Sequence, residues 1–243
     1  MAAELEAIAQ RGYLIVGVKD NLRPLGFRDA RGNLQGLEID IARRLAAELL
    51  GSPDAVKLQP LANQDRLDAV QSRAVDLAIA RVTTTEPRLR IVSLSRPYYI
   101  DGTAFVTKLE IVGQLEDLAG QRIALLNGAS TIASVRYFLH KARLVGVDSY
   151  QEALALLESG AADVFAADAS VLAGWVQEYQ QYRLLPYLIS AEALSVVMPK
   201  GLQYDDLRRQ VNQAISRCQE SGWLDERAKH WGLPVPELNR KSY

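Results

Sequence analysis

The sequence predicts an α/β protein built around mostly parallel sheets, and three observations predict it. Short apolar runs alternate with longer amphipathic segments through nearly all of the 243 residues, which is the pattern of repeated βαβ units. The amphipathic segments keep helical spacing, as at Leu37, Ile41, Leu45 and Leu49. Hydrophobic residues make up 49% and charged residues 23%, the mix of a chain with a real core. At ~150 residues per domain the length allows one large domain or two small ones.

The elements follow in order. Tyr13–Val18 reads as a buried strand leading into a loop that holds Pro24, and Leu34-Gln-Gly opens the helix through Leu49. Val56–Leu58 is a strand, Asn63 is placed to cap a helix carrying Leu67 and Val70, and Leu77–Ala80 is the next strand. The pattern breaks after Tyr98-Tyr99, and Ala104–Thr107 resumes it. A second series then runs strand Arg122–Leu126, helix Ser130–His140 and strand Leu144–Val147. Ser149-Tyr-Gln-Glu152 is a capping box that starts a helix to Glu158. Asp163–Ala167 is a strand, Ala169–Tyr179 a helix and Leu194–Met198 a strand. An amphipathic helix from Asp205 to Glu220, then a short one between Gly222 and Gly232-Leu-Pro, close the pattern.

One stretch echoes another. Leu67–Ala80 and Leu154–Ala167 both read helix, then Ser-x-Ala-x-Asp, then strand, which suggests two similar lobes.

Composition excludes several classes. The 28 Lys+Arg against 29 Asp+Glu leave −1, so no basic excess marks a nucleic-acid binder. The single cysteine, Cys218, forms no intramolecular disulfide, and with two histidines far apart no Cys/His zinc cluster is expected. No apolar stretch reaches the ~18 residues of a membrane span, and Met1-Ala-Ala-Glu has neither basic nor apolar signal-peptide regions. Gly-x-Ser-x-Gly, P-loop and Gly-x-Gly-x-x-Gly motifs are absent, so no enzyme class or cofactor is indicated.

In open α/β sheets, ligands bind beyond the carboxyl ends of the strands. There the sequence puts Lys19 and Asp20; Arg81 and Thr83, leading to Arg88; Asn127 to Thr131; and Asp168. Arginine for a carboxylate and aspartate for an ammonium would suit a small zwitterion. Thr85 is a candidate N-cap with Pro87 in the first turn, where free N–H groups attract an anion. Arg88 there is either a carboxylate fork or a solvated surface arginine. Ser130 and Thr131 open a helix, as anion ligands or as plain caps. Asp168 is either an ammonium ligand or the N-cap before Ala169, and Lys19 and Arg66 are ligand groups or exposed charges.

From Ile79 to Tyr99, Ile-Ala-Arg-Val-Thr-Thr-Thr-Glu-Pro-Arg-Leu-Arg-Ile-Val-Ser-Leu-Ser-Arg-Pro-Tyr-Tyr resembles, without gaps, the signature of the extracytoplasmic polar amino-acid binding proteins of ABC importers. Val16-Gly-Val-Lys, Gly32–Asp40, Val75-Asp76, Gly128–Thr131, Ala162–Asp168, Gly222-Trp-Leu and Lys229–Gly232 extend the likeness over almost the whole chain. The resemblance implies the type II periplasmic-binding-protein fold, two α/β lobes joined by two hinge strands with the ligand held between them. It places lobe 1 at 1–105 plus 198–243 and lobe 2 at 106–197, with hinges near Ala104–Lys108 and Leu194–Met198. By position, Arg88 grips the α-carboxylate with Thr83 and the Ser130-Thr131 helix start, and Asp168 takes the α-ammonium. Lys19 falls where glutamine-specific relatives use a carboxylate, and Arg66 where the glutamate/aspartate branch often has arginine. Three cations (Lys19, Arg66, Arg88) against Asp168 favour an acidic side chain, so the pattern is nearest to that branch. Leu22 stands where many relatives put an aromatic lid. Arg81 replaces a small or neutral residue, and so blocks the site, binds a carboxylate or points away.

The expected protein is therefore a non-enzymatic, periplasmic, monomeric capture protein for glutamate or aspartate. Its partner is a membrane permease, and no nucleic acid or membrane insertion is involved. A clamp specific for glutamine or asparagine, a cyclohexadienyl-dehydratase-like enzyme and a sensor domain are the alternatives.

Overall fold

The computed structural model describes residues 4–235. The chain divides into two compact units, Met1–Ile100 with Glu192–Tyr243, and Asp101–Ala191. The sequence reading put the breaks near 105 and 197.

The first unit begins with α1 (Leu5–Arg11), β1 (Leu14–Val18), β2 (Asn21–Leu22), β3 (Gly26–Arg28), β4 (Leu34–Gln35) and α2 (Leu37–Leu50). It continues with β5 (Val56–Pro60), α3 (Asp68–Gln71), β6 (Leu77–Ile79), α4 (Glu86–Ile91) and β7 (Ser93–Asp101). The second unit holds β8 (Thr103–Thr107), β9 (Arg122–Leu126), α5 (Thr131–Phe138), β10 (Arg143–Val147), α6 (Tyr150–Glu158), β11 (Val164–Asp168), α7 (Ala169–Glu178) and β12 (Arg183–Leu184). The chain then returns to the first unit with β13 (Glu192–Met198), α8 (Asp205–Glu220) and α9 (Trp223–His230).

The main sheet of the first unit has the order β5-β1-β6-β13-β7. β1 lies parallel to β5 and β6, and the late strand β13 is antiparallel to β6. The second unit's sheet, β10-β9-β11-β8-β12, repeats the plan: β9 runs parallel to β10 and β11, β8 is antiparallel to β11, and β12 pairs antiparallel with β8 and so runs with the parallel strands. Each sheet is thus mixed at one side rather than mostly parallel throughout. The cause is the strand that enters each sheet directly from the other unit, with no crossover helix to turn it parallel. β2, β3 and β4 form a small antiparallel sheet.

Alternation explains how the second sheet is covered on both faces. Phe105, Ile123, Leu125, Val164 and Ala166 pack into one cluster, while Ala104, Val106, Ala124, Phe165 and Ala167 join another. Successive residues of β8, β9 and β11 therefore point to opposite sides, and both sides are buried. In the first unit Leu14, Val16, Val18, Leu77 and Ile79 are fully buried, as are Ile39, Leu45, Leu207 and Val211 of the helices. Gly36 turns the chain into α2 at φ 126°, where a Cβ would run into the carbonyls of Leu25 and Pro24.

Several local expectations need correction. Asn63 does not cap a helix: α3 starts only at Asp68, because residues 62–67 form turns in which the Asn63 carbonyl accepts from Arg66 Nε at 2.8 Å. The break after Tyr98-Tyr99 is no break. β7 is a nine-residue strand, and Pro97 is tolerated because β7 lies at the sheet edge. Thr85 is the N-cap residue of α4, yet its side chain makes no cap bond. The Ser149 hydroxyl does accept from Glu152 N at 3.1 Å, but Glu152 reaches back to Asp148 N (2.7 Å) rather than to Ser149. The small sheet and α1 had no counterpart in the sequence reading.

Candidate functional site

In the first unit the carboxyl ends of β1 and β6 lie side by side, since Val18 pairs with Ile79. Lys19 leaves β1 and Ala80-Arg81 leave β6, so parallel pairing alone brings both segments to one edge. Lys19 is only 4% exposed, and its Nζ donates to the Leu61 carbonyl at 2.9 Å. Burial, seconded by nearby Arg66, lowers its pKa against the opposing pull of Asp20 and Glu38.

Arg66 is a backbone clip. Its Nε donates to Asn63 O, and its Nη1 donates to both Ala80 O and Arg81 O at 2.8 Å. Burial, then the neighbouring Arg88 and Arg81, make its charge harder to hold. Arg81 itself sits in the left-handed region at φ 52°. Its N–H donates to Glu38 Oε1 at 2.6 Å, and Tyr98 Oη donates to the same oxygen at 2.6 Å.

Beyond Arg81 the chain runs along β13. Thr83 bridges Leu194, Ser195 N donates to Val82 O at 3.0 Å, and Thr84 N to Ala193 O at 2.8 Å. Arg88 folds back from α4, its Nη1 donating to Thr83 O at 2.7 Å and to Thr83 Oγ1. It is a half-buried, positioned guanidinium rather than a solvated one. Leu22 lies in β2 opposite Gly26, half-buried.

Glu38 was missed by sequence reasoning. It is fully buried, and burial raises its pKa despite the bonds from Tyr98 and Arg81 and the charges of Arg81 and Arg66. Burial and the Glu38 charge push the Tyr98 hydroxyl pKa well up. The signal was there: Glu38 heads the face of α2 that carries Ile41 and Leu45, and a carboxyl at i, i+3, i+7 with two buried aliphatics needs partners. Lys19, Arg66 and Arg81 therefore gather around the buried Glu38 carboxyl, and Arg88 adds its charge beside Arg66, an arrangement suited to an anionic group.

In the second unit, Ser130 and Thr131 follow β9 and Asp168 ends β11, again at the carboxyl ends of adjacent parallel strands. Gly128, at φ 74°, turns the chain into α5. Ser130 is the exposed N-cap residue without a side-chain cap bond. Thr131 is buried, and its Oγ1 has no hydrogen-bond partner among the described residues. Asp168 holds the N-cap position of α7, but its side chain does not cap. Asp101 does that work instead, accepting from Ser170 N at 3.0 Å, Ser170 Oγ at 2.5 Å and Gly102 N at 2.9 Å. Asp168 is thus the N-cap residue by position while Asp101 supplies the capping bond, and Asp101 is a second residue that pattern alone did not reveal.

Two α/β units, each built on a mixed sheet with polar side chains beyond its parallel strands, define the class of type II periplasmic binding proteins. The chain belongs to the bacterial extracellular solute-binding proteins, family 3, whose description matches residues 14–234. Similar proteins include the ABC transporter glutamine-binding protein GlnH of Bacillus subtilis (strain 168), 26% identical over 93% of this chain and 84% of its own length. The glutamine-binding protein of Geobacillus stearothermophilus is 28% identical over 79% of this chain and 74% of its own. Among solved structures, an ancestral cationic amino-acid solute-binding protein superposes with a TM-score of 0.77 at 27% identity, covering 94% of this chain and 99% of that one. Among the described residues, no helix is long and apolar enough to cross a membrane.

Proposed function

We propose that this chain captures an acidic amino acid, glutamate or aspartate, outside the cytoplasm and delivers it as a monomer to the permease of an ABC importer. Arg88 and Thr83 take the α-carboxylate together with the Ser130-Thr131 helix start, and Asp168 takes the α-ammonium. Lys19, Arg66 and Arg81 favour a negative side chain, and Leu22 covers the ligand. The observation that supports this reading is the set of three cations, Lys19, Arg66 and Arg81, around the buried Glu38, with Arg88 beside Arg66.

A second reading, glutamine, is favoured by two observations. Lys19 Nζ and three N–H donations of Arg66 go to backbone carbonyls, so these cations are partly spent on the fold. Two of the relatives are also named for glutamine.

The test is calorimetry with glutamate, aspartate, glutamine, asparagine, arginine and histidine, after unfolding and refolding to strip any carried ligand. Micromolar binding of the acidic pair, about −8.2 kcal/mol, supports the first reading, and preference for glutamine the second. Arg88→Ala is expected to cost about 2–5 kcal/mol of binding, because it leaves a desolvated carboxylate without its partner. No binding, together with turnover of prephenate or arogenate, would replace both readings with a dehydratase.

A further inference from the structure

We propose that Glu38 is a positioning residue for ligand capture: its Oε1 holds the Arg81 N–H, and with it the left-handed turn that sets Thr83 and Arg88 against the ligand carboxylate. The inference rests on the reading of Arg88 and Thr83 just given.

The geometry runs from a fixed point to the ligand groups. α2 begins where Leu37 N and Glu38 N donate to Pro24 O (3.1 Å) and Leu25 O (2.9 Å), so the backbone of Glu38 is anchored. Its carboxyl is fully buried, and Tyr98 Oη orients it from β7. Arg81, with φ 52°, occupies a conformation that is strained for a non-glycine residue and persists only when its surroundings hold it. Glu38, with Tyr98 beside it, holds its N–H, and Arg66 holds its carbonyl.

Two residues later, Thr83 is locked to β13 and accepts from Arg88. Without Glu38, the Arg81 N–H loses its carboxylate acceptor and Tyr98 loses the oxygen that orients it, so the turn relaxes toward ordinary φ and the Thr83 carbonyl that aims Arg88 shifts. A displacement of the order of 1 Å is enough to spoil a bidentate carboxylate contact.

The experiment compares Glu38→Met, which keeps volume but accepts no hydrogen bond at Oε1, with Glu38→Gln, which keeps the acceptor. Binding of L-glutamate and of L-glutamine is measured at 10 °C, where folded protein dominates, with Arg88→Ala alongside. Amide exchange over residues 80–84 is followed without ligand. Glu38→Met is expected to weaken binding about tenfold or more and to speed exchange over 80–84, while Glu38→Gln stays within about threefold of wild type in affinity. The cost of Glu38→Met should also shrink in an Arg81→Gly background, where the left-handed turn needs no support.

Wild-type affinity in Glu38→Met, unchanged exchange, or an equal cost in both backgrounds would overturn the proposal. Arg88→Ala binding as well as wild type would overturn the reading of the site instead, and the exchange result would still judge Glu38. Should Glu38→Met fail to fold, Glu38→Ala, which leaves room for water, repeats the comparison.

Discussion

Asp76 and Asp163 perform the same task in the two units: each precedes a central strand and accepts from the backbone of the neighbouring parallel strand and from an arginine. Asp76 Oδ2 accepts from Ile15 N at 2.7 Å and from Arg11, and its own N donates to Ile15 O at 2.9 Å. Asp163 accepts from Arg122 N (2.9 Å), Nε (2.9 Å) and Nη2 (2.6 Å), and its N donates to Arg122 O at 2.9 Å. The repeated Ser-x-Ala-x-Asp segment thus encodes a strand-locking carboxylate, used once in each sheet.

The two locks differ in depth, and their removal should differ accordingly. Asp76 is fully buried. Asp76→Ala strands the Ile15 N–H and the Arg11 charge, and should cost roughly 3 kcal/mol in denaturant unfolding. Asp163→Asn should cost less, and in a pH-dependent way. The Arg122 guanidinium holds the Asp163 pKa below its usual 3.8, so its stabilisation is complete above that value and fades as pH falls through the lowered one. The Tm gap between wild type and Asp163→Asn should therefore be constant near neutrality and close in strong acid.

The element series was legible because both sheets bury their strands and helices by simple periodicity. Arg122–Leu126 and Asp205–Glu220 came out with the bounds the structure has. What escaped depends on contacts distant in sequence. The antiparallel place of β13 is set by the chain's return to the first unit, and β7 contains Pro97 and alternates irregularly. Among the site residues, sequence spacing selected the segments beyond the strands. It did not reveal that Arg66 would turn onto Ala80 O and Arg81 O, or that Glu38 would lie under them, because both depend on loops packing 14 and 43 residues away.

Glu38 should make stability fall as pH rises. Burial raises its pKa above the ordinary 4.5, while Tyr98 from β7, Arg81 beyond β6, Arg66 ahead of α3 and Lys19 beyond β1 supply its polar surroundings. The folded state then binds a proton more tightly than the unfolded one, so stability is greatest below 4.5 and is lost as pH climbs through the raised value. Glu38→Gln removes this dependence. The Tm of wild type relative to Glu38→Gln should decline as pH is raised from 4.5, and parallel curves would contradict the shift.

Arg66 offers a way to separate framework from ligand contact. Arg66→Lys keeps one charge, but an ammonium cannot reproduce three N–H donations to Asn63, Ala80 and Arg81 in the fork geometry of a guanidinium. If the backbone carbonyls are its main partners, Arg66→Lys should destabilise by about 1–3 kcal/mol, and glutamate and glutamine should lose affinity equally. A selective loss of glutamate over glutamine would instead assign Arg66 to the side-chain subsite.

Asp101 and Asp168 stand on either side of the same helix start, and mutation should separate a fold role from a binding role. Asp101 is buried, and its carboxylate accepts from Gly102 N, Ser170 N and Ser170 Oγ; replacing it with alanine leaves those donors unmet. Asp101→Ala should lower stability by roughly 2–3 kcal/mol. Because its carboxylate is taken up by these three donors, the affinity of the folded protein should change little. Asp168 is half-buried, ends β11, and leaves the helix cap to Asp101. On the proposed reading, Asp168→Asn should weaken amino-acid binding by about 2 kcal/mol or more, because an amide would replace the charge offered to the ligand ammonium. Calorimetric Kd values beside thermal melts of both variants decide the matter, and loss of stability without loss of affinity in Asp168→Asn would remove this residue from the ligand site.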